Sequence, residues 1–232
     1  MRGLLVAAGY GTRLMPITET IPKCLVSIDG KPLLMYWFES LTSAGIYPIL
    51  VNTHHHSSQV QAFISESLIS SIVRVTHESK LLGTAGTIRE NADFLIGESV
   101  FVAHADNYCL SNLKNLIAAY EARPAGVEIT MLTFITEQPE QCGIVEVDEN
   151  GLVTKFFEKI HGIVGNVANG AVYIISNVVV ADIRDHSDSV FDFSIDVLPR
   201  YLVRILAVPA DNVHIDIGTH ENLAKARKIS QI

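Results

Sequence analysis

Along the first half of the chain, short unbroken apolar runs alternate with stretches in which apolar positions recur every three or four residues. "GLLVAA" (3–8) is apolar throughout, the pattern of a strand buried on both faces. Across 32–44, Leu34, Trp37, Phe38 and Leu41 share one helical face; Pro32 suits the first turn and Gly45 the C-terminal cap. "YPILVNT" (47–53) reads as the next strand, and "SSQVQAFISESL" (57–68) as a helix opened by serine caps. "SIVRVTHE" (71–78), "GTAGTIRENADFL" (83–95) and "SVFVAHAD" (99–106) continue as strand, helix and strand, with a helix following over 113–120. This rhythm predicts an α/β fold, a three-layer, doubly wound and mostly parallel sheet. Ligands of such sheets lie at the carboxyl ends of the strands, which singles out 9–13, 52–56, 83–86 and 106–107.

The pattern changes in the second half. "CGIVEVDENGLVTKFFEK" (142–159) alternates strictly on either side of Asn150-Gly151, a strong hairpin signal. "NGAVYIIS" (169–176) reads as a strand and "SIDVLPRYLV" (194–203) as helical up to Pro199. Two short strands in "ILAVPADNVHIDIGT" (205–219) precede a closing helix, "HENLAKARKI" (220–229). With no Ser/Gly-rich linker and no internal repeat, the antiparallel part reads as a small substrate-side insertion in a single domain, 1–232.

Composition narrows the classes. Hydrophobic residues make up 48% and charged ones 18% of 232, the balance of an ordinary globular protein. A formal charge of −8 argues against a general nucleic-acid binder, yet leaves room for a small anionic ligand in a locally positive pocket. Cys24, Cys109 and Cys142 are odd in number and widely spaced, which reads as reduced thiols of a cytoplasmic protein. The apolar run 4–8 is too short for a secretory leader, and no run approaches a membrane span. The expectation is a soluble cytoplasmic protein with no membrane or nucleic-acid partner.

The first strand runs into "AAGYGTRLMPITETIPKCL". Glycines after a strand let backbone N–H groups approach an anion closely. The Walker pattern fails here because Gly11-Thr12-Arg13 offers no lysine, and the dinucleotide fingerprint fails because Leu14 stands where its third glycine belongs. The longer string, "LLVAAGYGTRLMPITETIPKCLVSIDGKPLL", resembles the signature of the sugar-1-phosphate nucleotidyltransferases. The matching residues include Ala7, Ala8, Gly9, Gly11, Thr12, Arg13, Pro16, Thr18, Pro22, Lys23, Gly30 and Pro32. The resemblance continues in order through "NTHH", "LLGTAGTI", "ADN", "FEK", "NGAVYI" and "IDIGT", nearly the whole chain.

That resemblance implies a Rossmann-like, GT-A-type nucleotidyltransferase that joins a nucleoside triphosphate to a sugar 1-phosphate and releases pyrophosphate. It implies a nucleotide-binding half (1–135) and a sugar-phosphate-binding half with the closing helix (136–232). The attacking phosphate oxygen is already anionic, so no general base is needed; the chemistry needs alignment and charge neutralisation. Arg13 is expected on the triphosphate and Lys23 on the α-phosphate or the sugar phosphate. Asp106 and Asp216, each after an apolar strand, match the family's Mg²⁺-binding aspartates. Ala7, Ala8, Gly9, Gly11, Thr12, Gly83 and Thr84 are expected around the nucleotide. Glu158, Lys159, Asn169 and Gly170 are expected on the sugar phosphate. Two departures are visible: Ala105 replaces a common glycine before Asp106, and Ile160 replaces a proline after Lys159.

"GTAG" at 83–86 is found among guanylyltransferases of mannose or heptose phosphates, which favours GTP; uridylyl, thymidylyl and cytidylyl relatives remain open. A catalytically silent nucleotide-sugar-binding relative is a further alternative, although Arg13, Lys23 and both aspartates are present. Adjacent side chains of His54, His55 and His56 point in different directions, so one cation could hardly gather all three. The family's C-terminal hexapeptide β-helix is not expected here, leaving a monomer or homodimer.

Overall fold

Unbroken apolar runs need cover on both faces, and the strands Arg2–Val6 and Ile49–Thr53 show that cover. The computed structural model describes residues 1–159, 162, 165–186 and 192–231. Two units alternate along the chain: Met1–Leu81 with Ala103–Asn112 and Asn212–Ile232, and Leu82–Val102 with Leu113–Asp211. In the first, Arg2–Val6 runs parallel to Ile49–Thr53, which runs parallel to Val73–His77. Leu4, Leu5, Ile49, Leu50 and Val51 are wholly buried, as unbroken apolar runs require.

The helix Leu33–Ser43 buries Leu33, Leu34, Trp37, Phe38 and Leu41 and ends at Ala44, with Gly45 at φ 74 beyond it. It starts one residue later than the pattern predicts, because Pro32 is extended and Lys31–Pro32 pairs with Ser27–Ile28. The helix Ser57–Ser65 is not capped by serine: its cap position is His56, at φ 52, without a side-chain hydrogen bond.

A short antiparallel ladder unseen in the sequence pattern pairs Asn107–Cys109 with His214–Asp216, setting Asp216 opposite Asn107. The Trp37 indole N–H donates to the Asn107 carbonyl at 2.9 Å and so ties the long helix to this ladder. Below it, Leu14, Val26, Ile28, Leu33, Tyr108, Ile217, Leu223 and Ala226 form one apolar cluster. The closing helix His220–Ile229 packs there through Leu223 and Ala226, and the Thr219 hydroxyl accepts from the Asn222 amide at its start.

In the second unit, Val167–Ile175 pairs antiparallel with Ile129–Ile135 and, at Ala168, with Gly143–Val147. Gly143–Val147 pairs antiparallel with Val153–Glu158, and Ile205–Pro209 runs parallel to Ile129–Ile135. The hairpin at Asn150-Gly151 forms, but its turn is organised by Asp148, whose carboxylate accepts from the amides of Asn150 and Leu152. The predicted helix 83–95 is two helices, Gly83–Glu90 and Ala92–Leu95, because Asn91 at φ −109 breaks the run. The strand Ile129–Ile135 and the helix Asn177–Asp185 are two further elements, which the sequence reading did not predict. The stretch expected to be helical up to Pro199 is helical but not α: a π-helical turn, Phe193–Val197, passes into a 3₁₀ turn, Leu198–Tyr201, with Pro199 in its first positions. The α/β class, with parallel strands and an antiparallel portion, is as expected. Among the described residues no helix is long and apolar enough to cross a membrane.

Trp37→Phe removes the donor from the Asn107 carbonyl and leaves a void. The expected loss is about 1–3 kcal/mol in a denaturant melt, and an unchanged midpoint would reject this tie.

Candidate active site

The glycine loop leaves the end of Arg2–Val6 and turns at Gly11, which has φ 66 and leads into the tight turn Thr12–Leu14. A Cβ on Gly11 would stand 2.8 Å from Thr18 Cγ2, so any side chain would push the loop outward. The buried Thr18 hydroxyl then donates to the Gly11 carbonyl at 2.8 Å, pinning the turn. Gly9 differs: a Cβ there would meet nothing within 4 Å, because it faces an open cavity of about 220 Å³. Ala7, Gly9, Gly11, Thr12, Arg13, Lys23 and Asp106 line this cavity, as the sequence leads one to expect, together with Val6, Cys24 and Gly218. Ala8 is buried and is not among its lining residues.

Lys23 is the centre of the charge arrangement. Its ammonium lies 2.6 Å from Asp106 Oδ2 and 2.9 Å from Asp216 Oδ1, and its side chain is only 8% exposed. Burial would lower the pKa of Lys23, but the two carboxylates outweigh it and hold the pKa above its ordinary value. Burial would likewise raise Asp106, yet Lys23, with help from His104, keeps its carboxyl below the usual carboxylate range. Arg13 is tied more loosely: Nη2 stands 3.4 Å from Asp216 Oδ2, on a side chain that is 61% exposed. An exposed pair of that kind contributes about 0–1 kcal/mol. Removing one partner from a buried pair costs about 3–5 kcal/mol. Lys23 therefore holds the aspartates together, while Arg13 stays free to move.

Asp106 and Asp216 reach Lys23 by different routes. The Ala105 amide donates to the Val6 carbonyl at 2.9 Å, so the residue before Asp106 is stitched to the end of the first strand. Ala105 is fully buried there, and its methyl group is accommodated away from the cavity lining. Asp216 Oδ1 also accepts from the Gly218 amide at 2.8 Å. A Cβ on Gly218 would stand 2.6 Å from Arg13 Nη2 and 2.9 Å from Asp216 Oδ2, so any other residue would displace these side-chain ends.

The loop is also tied down at both ends by a polar chain that sequence reasoning missed. Asn52 is 1% exposed; its Oδ1 accepts the Ala7 amide at 2.6 Å and its Nδ2 donates to Glu78 Oε1 at 2.8 Å. The Glu78 carbonyl faces His54 Nδ1 at 2.7 Å, which puts the ring proton on Nδ1. His54 Nε2 is then free to accept from the Tyr10 hydroxyl at 3.0 Å. The histidine run thus serves separate ends, with His55 Nε2 at 3.3 Å from the Thr18 carbonyl and His56 in the left-handed turn before a helix. The signal that could have been read is Asn52 itself, an amide side chain near the end of an otherwise apolar strand.

The remaining expected residues belong to the second unit. Gly83 and Thr84 open the helix Gly83–Glu90, with Thr84 buried. Glu158 lies opposite Gly143 in the hairpin register, and a Cβ on Gly143 would come within 2.8 Å of Glu158 Oε2 and of the Phe156 ring. Lys159 has φ 49, and its ammonium is 3.0 Å from Glu158 Oε1 on a 63% exposed side chain. Ile160 lies outside the described residues. Asn169 Nδ2 donates to the Tyr173 hydroxyl at 2.7 Å, and its Oδ1 accepts from the Ala171 amide at 3.0 Å. Gly170 falls within the register break between Asn169 and Tyr173. Burial pushes the Tyr173 phenol up against the hydrogen bonds from Asn169 and Ser194, with Glu158 and Asp192 adding to the rise.

The donors around Lys23 suit Mg²⁺. Two carboxylate oxygens converge on one cationic point, and Mg²⁺ takes one or two carboxylates plus phosphate and water oxygens. Cys24, which also lines the cavity, does not compete as a thiolate: burial, with Asp106 nearby, pushes it up to about 12.

Glycine backbone, two cations and Asp106 around one cavity, with Asp216 paired to both cations, form a set of groups that can hold phosphate and a divalent cation. The chain belongs to the nucleotidyl transferase family, whose model matches residues 2–231. It is 32% identical over 179 residues to the mannose-1-phosphate guanylyltransferase catalytic subunit beta of Drosophila melanogaster, covering 75% of this chain and 48% of that one. With the corresponding protein of Dictyostelium discoideum the identity is 29% over 194 residues, covering 82% and 54%. The chain thus spans about half the length of the curated relatives it matches. Among solved structures, HddC from Yersinia pseudotuberculosis complexed with GMP-PN is similar at TM-score 0.80 and 26% identity, covering 99% of this chain and 100% of that one. An apo UDP-glucose pyrophosphorylase shares the fold at TM-score 0.83 and 21% identity, covering 100% and 98%.

Gly218→Ala should fold with stability within about 1 kcal/mol of the parent, since the atoms it meets are movable side-chain ends. It should nevertheless push the Arg13 guanidinium and the Asp216 carboxylate off their positions. A crystal structure of that variant with both side chains where the parent holds them would reject the role of this glycine.

Proposed function

We propose that the chain transfers a nucleotidyl group from a nucleoside triphosphate to a sugar 1-phosphate, releasing pyrophosphate, with GTP and a mannose or heptose 1-phosphate as the favoured pair. The observation that carries this reading is the cavity lined by glycine backbone, Arg13, Lys23 and Asp106, with Asp216 paired to both cations. The guanylyl preference is supported by the names of the curated relatives and by the GMP-PN complex of HddC.

In this reading the triphosphate lies along the open side of Gly9, where the absence of a side chain admits phosphate oxygens to the backbone, with Gly11 also lining the cavity. A phosphate oxygen of the sugar 1-phosphate attacks the α-phosphorus. The new O–Pα bond forms as the bond from Pα to the bridging oxygen breaks, and that electron pair leaves on pyrophosphate. No proton has to be removed from the nucleophile, which agrees with a cavity lined by cations and carboxylates but no histidine. Arg13, loosely held, turns toward the departing pyrophosphate, and Lys23 neutralises charge on the α-phosphate or the incoming phosphate. Asp106 and Asp216 would hold Mg²⁺, which supplies further charge neutralisation on the phosphate oxygens when bound. In the second unit, Glu158 and Asn169 accept from and donate to sugar hydroxyls, Gly170 offers backbone, and Lys159 takes the sugar phosphate. Ala7, Thr12, Gly83 and Thr84 contribute to nucleotide contacts, Ala7 through groups other than its amide, which Asn52 holds. Free thiols at all three cysteines agree with work in the reducing cytoplasm.

Five nucleoside triphosphates crossed with a panel of sugar 1-phosphates and Mg²⁺, read as pyrophosphate release, test the reading. The expected result is release with GTP and a mannose- or heptose-type phosphate; no release from any pairing would overturn it. Arg13→Ala should retain the fold and lower turnover by about 10²-fold or more, and Asp216→Asn should abolish the metal-dependent rate. Near-parent rates in either variant would contradict the role assigned to that residue.

A further inference from the structure

We infer that Lys23 is a stand-in cation. Without nucleotide its ammonium holds the point between Asp106 and Asp216 that a divalent ion takes when nucleotide arrives, so the ion binds with nucleotide and not alone. The inference deepens the transfer reading and rests on it for what fills the cavity.

The geometry gives the ammonium the coordination a metal would seek. Lys23 Nζ takes Asp106 Oδ2 at 2.6 Å and Asp216 Oδ1 at 2.9 Å, one oxygen from each carboxylate. Among the described residues no group of three or more His, Cys, Asp or Glu side chains could hold a metal. A lone divalent ion entering this cavity would therefore find two carboxylates, both already engaged. The charges also balance: the two aspartates are matched by Lys23 and Arg13, so the set has no net pull on a free cation.

Displacing Lys23 without nucleotide would strand its charge. Its side chain is 8% exposed, and a buried ammonium pushed off its carboxylates loses its compensation. Phosphate changes that balance, because Lys23 lines the same cavity as Gly9 and Gly11. An incoming triphosphate offers the ammonium new oxygen partners and frees both aspartates for the ion that arrives with it. The move needs only the flexible four-carbon stem of lysine, since the backbone around it is fixed in the turn Lys23–Leu25, next to the buried Cys24 and Val26. Asp216 keeps its place during the exchange through the Gly218 amide, which holds Oδ1 at 2.8 Å. Arg13, at 3.4 Å and largely exposed, is too loosely bound to be the stand-in. Metal and nucleotide are then coupled through one side chain, and the coupling is reciprocal.

The probe is Mn²⁺ alone, titrated into nucleotide-free full-length protein and followed by the electron paramagnetic resonance signal of the free ion. Lys23→Met should bind Mn²⁺ about tenfold or more tightly than the parent, because it takes away the buried ammonium that lies between Asp106 and Asp216. Adding Asp106→Asn to Lys23→Met should remove that gain. Equal binding by parent and Lys23→Met, or tighter binding by the parent, would overturn the inference. Should circular dichroism show Lys23→Met unfolded, the parent decides: saturable Mn²⁺ binding tighter than about 10⁻⁴ M without nucleotide would overturn it, and weaker binding would uphold it. The titration contains no substrate, so it stands apart from the transfer assay. Pyrophosphate release with equal Mn²⁺ affinities refutes the exchange and keeps the transfer; tighter binding by Lys23→Met without release in any pairing does the reverse.

Discussion

The contact on which the site depends is the one between a nearly buried ammonium and two aspartates drawn from distant parts of the chain. Two carboxylates cannot stand this close in a partly dry cavity without a cation between them, and Lys23 supplies it. The fold serves that contact from several sides. The first strand holds Ala105 by its amide, the short ladder sets Asp216 opposite Asn107, and the indole of Trp37 fastens the ladder to the long helix. The apolar cluster of Leu14, Val26, Ile28 and Ile217 lies among the same segments, so core packing and charge placement are properties of one set of residues.

A glycine loop can approach an anion only if something else keeps it in shape, since glycine itself restrains the backbone least. Here the restraint is polar and lies off the loop. Thr18 holds the Gly11 carbonyl, Asn52 holds the Ala7 amide, and His54 holds the Tyr10 hydroxyl. Glu78, itself 4% exposed, links the last two through its carboxylate and its carbonyl. The open face of Gly9 is what remains once the other loop groups are engaged.

Much of this was legible in the sequence, and the reasons differ by element. Strands buried on both faces leave unbroken apolar runs, so Arg2–Val6 and Ile49–Thr53 could be read directly; the stripe of Leu34, Trp37, Phe38 and Leu41 announced its helix. Arg13, Lys23, Asp106 and Asp216 were legible because each stands in a long, ordered motif. What stayed hidden depends on pairing between remote segments. The three-residue strand Asn107–Cys109 exists only because His214–Asp216 lies beside it, and Asn52 matters only because Ala7 and Glu78 reach it. The atoms that exclude a Cβ from Gly143 and Gly218 are side-chain ends placed by the fold, so no local pattern marks those glycines. The serine cap expected at 57 gave way to His56 because the chain enters that helix through a left-handed residue.

The most direct measurement is a crystal structure of the protein grown with Mn²⁺ and a non-reactive GTP analogue, with the metal located by its anomalous signal. The account predicts the ion on Asp106 and Asp216, the triphosphate along Gly9 and Gly11, and the Lys23 ammonium on phosphate oxygen. An ion bound elsewhere, or a triphosphate lying away from the loop while Lys23 still bridges both aspartates, would contradict it.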